Sequence, residues 1–212
     1  MVRGAFPWDF LGGQNALAPD VETNARMTEP RPTKAELAAA YGRRVPDLIA
    51  ANLSVLFCGI NPSLYSAAIR HHFGRPGNRF WPTLYASRFT DRLLKPWEEK
   101  VLLERRLGIT NLVARATTAA AELTAEELRL GRKSLQRKIL RYRPRCLAVL
   151  GIGAYRLAFD APRAIVGLQS KLLGSAVVWV LPNPSGLNAN HQLPDLAKAF
   201  GALREFVMTR QQ

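Results

Sequence analysis

Acidic residues are scarce in this 212-residue chain: 16 Asp and Glu stand against 30 Lys and Arg, a formal net charge of +14. From Leu48 to Thr90 there is no acid at all. That imbalance argues for a polyanionic partner bound in a salt-dependent way. Nucleic acid is the first candidate and an anionic membrane surface the second; an Arg-rich background composition would give the same count with no partner. Cysteine is nearly missing. Cys58 and Cys146 both lie in apolar runs and read as reduced core residues, not as a disulfide or metal pair. No Cys/His spacing suits zinc or an iron–sulfur cluster, so neither a metal nor a cofactor is expected. No apolar run reaches the roughly 18 residues of a membrane span. The N-terminus lacks the basic-then-apolar layout of a signal peptide. A cytoplasmic monomer, in the cytosol or nucleoid, is therefore expected. A Gly-rich phosphate loop is also missing: Gly151-Ile152-Gly153 is isolated, which weakens a nucleotide-binding reading.

What is present has the layout of one domain. Residues 1–32 mix Gly, Pro, Asn and charges without periodicity and read as a loosely packed tail. Within them Phe6, Pro7, Trp8, Asp9 and Phe10 form an aromatic cluster that would dock a partner protein or fold back on its own domain. The domain, 33–212, opens at Thr33, which has capping-box spacing to Glu36; Gly42 stops that helix. Ser54–Gly59 is near-continuously apolar, as a strand buried on both faces should be. Gly108–Val113, Cys146–Leu150 and Ala176–Leu181 repeat the pattern. Helices are expected over Pro96–Arg106, from Thr124 (with Glu127 in capping-box position) to Tyr142, near Ala154–Phe159, and over Asp195–Met208. Alternating strands and helices predict a three-layer α/β/α sandwich with a short, mostly parallel sheet, binding its ligand at the carboxyl ends of the strands.

Two of those strands run straight into the same turn. The first ends in Gly59-Ile60-Asn61-Pro62-Ser63 and the last in Pro182-Asn183-Pro184-Ser185-Gly186-Leu187. Asn-Pro and Ser-Gly are ordinary turn formers; two such turns, each directly after a buried strand, point to the ligand edge. The acid-free stretch adds Arg70, Arg75, Arg79 and Arg88 interleaved with His71, His72, Phe73, Phe80 and Trp81. Bases mixed with aromatics suit a phosphate backbone and an unstacked base. Phe80 and Trp81 read as core; Phe73, in a polar and Gly-containing loop, reads as functional. Arg132, Lys133, Arg137, Lys138, Arg141 and Arg143 form a second basic block on one helix. Of these, Arg132 and Lys133 are the candidates for phosphate contact.

In order and spacing, Gly59-Ile60-Asn61-Pro62, Pro76-Gly77-Asn78-Arg79-Phe80-Trp81, Phe89-Thr90-Asp91-Arg92, Gly108-Ile109-Thr110-Asn111-Leu112-Val113, Gly131-Arg132-Lys133 and Trp179 to Leu187 resemble the mismatch-specific uracil-DNA glycosylases, which are related to the thymine-DNA glycosylases. The resemblance spans roughly 53–207. It implies that Asn61 positions the attacking water and that Phe73 stacks on a flipped base. It implies that backbone groups near Ile60 and Phe73 bind the uracil edge, with Ser66 near its 5-position, and that Asn183 lines the pocket. Ser185, Gly186, Leu187 and Asn188 would meet the DNA gap and the opposite strand, with Leu187 as the wedge and Gly186 near the widowed guanine. Arg75, Arg79, Arg132 and Lys133 are the expected phosphate contacts. Departures are Ser63 for the usual Gly, Asn188-Ala189-Asn190-His191 where relatives often carry Ser-Arg, and Asn111 and Ala114 where some relatives carry charge.

The chemistry this implies is hydrolysis of an N-glycosidic bond, opposite guanine in double-stranded DNA carrying U:G or related mismatches. The lesions are uracil, with thymine or etheno-type pyrimidines as further candidates. The base must leave the stack, at a cost of a few kcal/mol that a mismatch lowers. An apolar wedge offsets the unstacking, and preorganised donors stabilise the departing uracil anion. An asparagine amide has no useful basicity. Asp91, the first acid after the acid-free stretch, is thus the sequence-near candidate for assisting the water; its other readings are a helix N-cap or a surface ion pair. The competing function is a mismatch- or abasic-site-binding protein with negligible turnover.

Overall fold

The computed structural model describes residues 31–209; the aromatic cluster at residues 6–10 lies outside them. Five strands, β1 (Val55–Gly59), β2 (Leu107–Asn111), β3 (Cys146–Leu150), β4 (Gly167–Leu168) and β5 (Val177–Leu181), form one sheet in the order β2-β1-β3-β5-β4. All pairings are parallel except β4 with β5. Seven helices are described: α1 (Lys34–Ala39), α2 (Leu64–Ile69), α3 (Phe80–Ala86), α4 (Val101–Glu104), α5 (Ala125–Tyr142), α6 (Ile152–Ala158) and α7 (Leu193–Thr209). None is long and apolar enough to cross a membrane.

Strand alternation sorts the core into two layers. Val55 and Phe57 of β1, with Cys146, Ala148 and Leu150 of β3, face α3 and α7 through Phe80, Leu84, Phe200 and Leu203. Leu56, Cys58, Leu147 and Val149 face the opposite side, against Leu128, Leu135 and Ile139 of α5 and Tyr155 of α6. Phe57 packs edge-on to Phe80 and Phe89 and stacks on Phe200 at 5.9 Å. Truncating a side chain so placed costs about 3–5 kcal/mol. The three-layer α/β/α sandwich expected from the sequence is the observed fold.

Both expected capping boxes form, at Thr33/Glu36 and Thr124/Glu127. Leu196, Phe200, Leu203 and Val207 are the buried stripe of α7. One expected helix differs. Pro96–Arg106 is a 3-10 turn at Pro96–Glu98 followed by the short α4. Bonds between residues three apart, as from Glu99 to Pro96 and from Leu102 to Glu99, tighten the chain ahead of α4 and keep the two pieces from joining into one α-helix. The helices α2 and α3 were not expected. α2 begins at Ser63, whose Oγ accepts from Ser66 N at 3.2 Å. This gives the Ser at that motif position a capping role.

In this strand order, β2 lies on one side of β1 and β3 on the other. The carboxyl edge between β1 and β3 is thus the switch point where open α/β sheets leave a crevice. The two Asn-Pro-Ser turns, after β1 and β5, open onto that edge.

Candidate active site

A cavity of about 570 Å³ occupies the crevice and gathers Asn61, Ser66, Phe73, Asn183 and Leu187, with Arg75 at its exposed margin. The set comes from four stretches of chain, and each is fixed by bonds readable one at a time.

Asn61 is held by its amide nitrogen. Nδ2 donates to the Thr117 hydroxyl at 2.7 Å and to the Arg115 carbonyl at 3.2 Å. Thr117 Oγ1 in turn donates to Ala119 O at 2.8 Å, which leaves its lone pair for Asn61. With both amide hydrogens used, Oδ1 is the atom left to accept a hydrogen bond. Arg115 itself is anchored: its guanidinium meets the Glu127 carboxylate at 2.6 Å. The Arg115 hydrogen bond, seconded by Thr124 N–H, holds the Glu127 carboxyl down at about 2.

Phe73 sits in the left-handed backbone region, with φ 53°, which a bulky residue adopts only when its neighbours impose it. Two bonds do so. His72 N donates to Glu99 Oε2 at 2.9 Å on one side, and Gly74 N donates to Ser66 Oγ at 3.0 Å on the other. The Phe73 ring stacks on Phe80, centroid to centroid 3.9 Å. Its edge approaches Gly59: a Cβ there would lie 3.3 Å from Phe73 Cζ and only 2.6 Å from Asn111 Oδ1. Glycine at the end of β1 therefore lets Asn111 and Phe73 close on the same wall.

Asn111 and His72 are among the lining residues that the sequence does not mark as site groups. Asn111, 7% exposed at the carboxyl end of β2, and His72, 2% exposed, meet at 3.4 Å between Asn111 Nδ2 and His72 Nδ1. His72 Nε2 lies 2.9 Å from the Pro46 carbonyl. A carbonyl only accepts, so Nε2 carries the hydrogen and Nδ1 is the acceptor. Burial pushes the His72 pKa below its ordinary value, against the pull of Glu99. Asn111 carries no site signal in the sequence, where the expected strand Gly108–Val113 runs past it; the observed β2 ends at Asn111 and so brings it to the ligand edge.

The second turn is self-tied. Asn183 Oδ1 accepts from Ser185 N at 3.0 Å, Asn188 Nδ2 donates to Asn183 O at 2.9 Å, and Ser185 Oγ accepts from Leu187 N at 3.3 Å. Leu187 is 69% exposed at the rim, with its side chain free of the core.

A model of the uracil DNA glycosylase superfamily matches residues 46–206. The chain belongs to that superfamily. A solution NMR structure from Methanosarcina acetivorans, described as a "putative Uracil DNA glycosylase", is similar at 20% identity. It covers 77% of this chain and 97% of that one, with a TM-score of 0.52, a likeness of fold.

Against this superfamily frame, several expected residues come together and others do not. Asn61, Ile60, Ser66, Phe73, Arg75, Asn183, Ser185, Leu187 and Asn188 all line the cavity. Gly186 stands beside it, so close to Gly77 that a Cβ would lie 2.5 Å from the Gly77 carbonyl oxygen. Arg79 is not a free phosphate contact. Its guanidinium donates to the carbonyls of Ser185, Asn188 and His191. Arg132 lies with its guanidinium 5.5 Å from the Phe159 ring centre, between α5 and α6; Lys133 is exposed. Neither lines the cavity. Asp91 is outside it altogether. It pairs with Arg105 at 2.6 Å and lines a separate, open cavity with Tyr85, Arg88 and Thr90. The surface ion pair, not assistance to the water, describes Asp91.

Proposed function

We propose that this glycosylase-superfamily protein excises uracil, and related pyrimidine lesions, opposite guanine in double-stranded DNA, hydrolysing the N-glycosidic bond and leaving an abasic site. The observation that carries the reading is the meeting, in one crevice, of an anchored Asn61, a Phe73 platform and an exposed apolar Leu187. Water positioning, base stacking and gap filling each need one of these, and an ordinary folded core needs none in this arrangement.

In this reading, Arg75 and the general positive charge of the surface draw in the duplex. Leu187 enters the stack as the base swings out, offsetting lost stacking. The base lies against the Phe73 ring, whose other face rests on Phe80. Asn61 Oδ1 accepts from a water and turns its lone pair toward the sugar carbon. As the bond to the base breaks, the sugar becomes cationic and the uracil takes the electron pair; the water oxygen bonds to the sugar carbon and gives up a proton to solvent, and the uracil anion takes up a proton from solvent as it leaves. Asn61 orients that water without deprotonating it, so its contribution is placement, worth about 10²–10⁴ in rate for a positioned group.

A specific observation favours a second reading, that of a mismatch- or abasic-site-binding protein with negligible turnover. Among the described residues, no Asp or Glu lines the cavity. One experiment separates the two. The protein is incubated with a U:G duplex and free uracil is measured against time. Release at enzyme-limited rate supports the glycosylase; tight, salt-dependent binding with no uracil released supports the binder.

A further inference from the structure

We infer that Arg79 is a positioning residue for the wedge, acting from inside the protein and not on a phosphate. This rests on the glycosylase reading of the same site. The loop after β5 carries Leu187, and Arg79 holds that loop by three backbone carbonyls at three-residue intervals: Ser185, Asn188 and His191. Leu187 lies between the first two. The Arg79 main chain adds a fourth tie, its N–H donating to Pro184 O at 2.9 Å. One residue before Asn78, the Gly77 backbone abuts Gly186 with no room for a side chain between them.

The geometry has a functional consequence. The residue after Arg79 is Phe80, the ring on which Phe73 stacks. The base platform and the wedge are therefore built on one short segment, 77–80, and their separation is set by it. Hydrogen bonds from a charged donor to carbonyls are stronger than neutral ones. A guanidinium can spread them over several acceptors in a plane, which an ammonium point charge on a flexible stem cannot. Without Arg79, Leu187 would still be exposed but no longer held over the gap. Wedge placement matters only where a paired base must be displaced.

The test compares Arg79→Ala, Arg79→Lys, Leu187→Ala and the double variant Arg79→Ala/Leu187→Ala, each under single-turnover conditions. Substrates are uracil opposite guanine and uracil in an unpaired setting, either single-stranded or opposite an abasic site. Arg79→Ala should slow U:G excision by about tenfold or more, yet stay within about twofold of wild type on the unpaired base. Arg79→Lys should fail to restore it. The double variant should be no slower than Leu187→Ala alone, because both changes remove the same wedge. The salt dependence of duplex binding should keep its slope. Equal loss on both substrates, additive losses in the double variant, or a slope reduced by about one with rescue by Lys would each overturn the inference; the last is the signature of a phosphate contact. If the wild type releases uracil from neither substrate, the glycosylase reading fails instead. Amide exchange then decides the structural claim. Arg79→Ala, or Arg79→Lys should the alanine variant not fold, should speed exchange across residues 185–191 and leave β1 and β3 unchanged; unchanged loop exchange would overturn it.

Discussion

The Thr117 hydroxyl receives one Asn61 amide hydrogen at 2.7 Å and passes its own hydrogen to Ala119 O, so the pair has a single hydrogen-bond direction. That direction decides which end of the Asn61 amide meets the cavity. Thr117→Val keeps the shape and removes the acceptor. It leaves Asn61 with the 3.2 Å bond to Arg115 O and a rotatable amide. One lost hydrogen bond is worth about 1 kcal/mol, so the single-turnover excision rate should fall about five- to tenfold. Duplex affinity should be unchanged, since Thr117 is buried, at 1% exposure, and the substitution keeps its shape. Thr117→Ser, which keeps the hydroxyl, should behave like wild type. An equal loss in both variants would assign Thr117 a packing role only.

Asp91 supplies a prediction of silence. Its carboxyl is held below the ordinary range mainly by the Arg105 hydrogen bond, and it borders a different cavity from Asn61. Asp91→Asn should leave the excision rate and its pH profile within about twofold of wild type, because exposed ion pairs of this kind contribute little. A rate falling a hundredfold at unchanged affinity would restore Asp91 to the chemistry.

His72 should make the site acid-sensitive. Its ordinary value is 6.5 and burial lowers it in the folded protein. Below pH 6.5 the unfolded chain therefore takes up a proton that the native chain resists, and the native state loses stability as pH falls toward the folded value. Above 6.5 both states are neutral and the group has no effect. Protonation at Nδ1 would also replace the acceptor facing Asn111 Nδ2 with a donor. The expected result is a melting temperature that drops on going from pH 7 to pH 5, with part of that drop missing in His72→Gln. A pH dependence identical in the two proteins would contradict this.

Much of the fold was legible because it depends on local rules. Buried parallel strands read as continuous apolar runs, and Thr33/Glu36 and Thr124/Glu127 announce helix starts through side chains that are themselves in the sequence. The helices missed were short. α3 carries Pro82 in its first turn, where proline is tolerated but reads as a breaker. α2 ends after six residues in a left-handed Arg70. At the site, Asn61, Phe73 and Leu187 could be singled out because turn chemistry and the resemblance mark them. The hydrogen bonds of Arg79 are not legible in the sequence, for a physical reason. Its partners are main-chain carbonyls more than a hundred residues away, which leave no mark in side-chain identity, so its charge suggested a phosphate. His72, Asn111 and Thr117 meet the same obstacle, since only the folded sheet brings those positions to one wall.

The most direct test of Asn61 as the group that places the water is Asn61→Ala on a U:G duplex under single-turnover conditions, with duplex affinity measured alongside. Asn61 is on a rigid support, with a buried strand before it, Pro62 after it and both amide hydrogens engaged. Removing the amide should slow uracil release by about 10²–10⁴ while binding changes less than about threefold, because the proposed reading puts affinity on phosphate contacts and the wedge and not on Asn61. An Asn61→Ala protein that releases uracil within a few-fold of the wild-type rate would place the catalytic centre elsewhere.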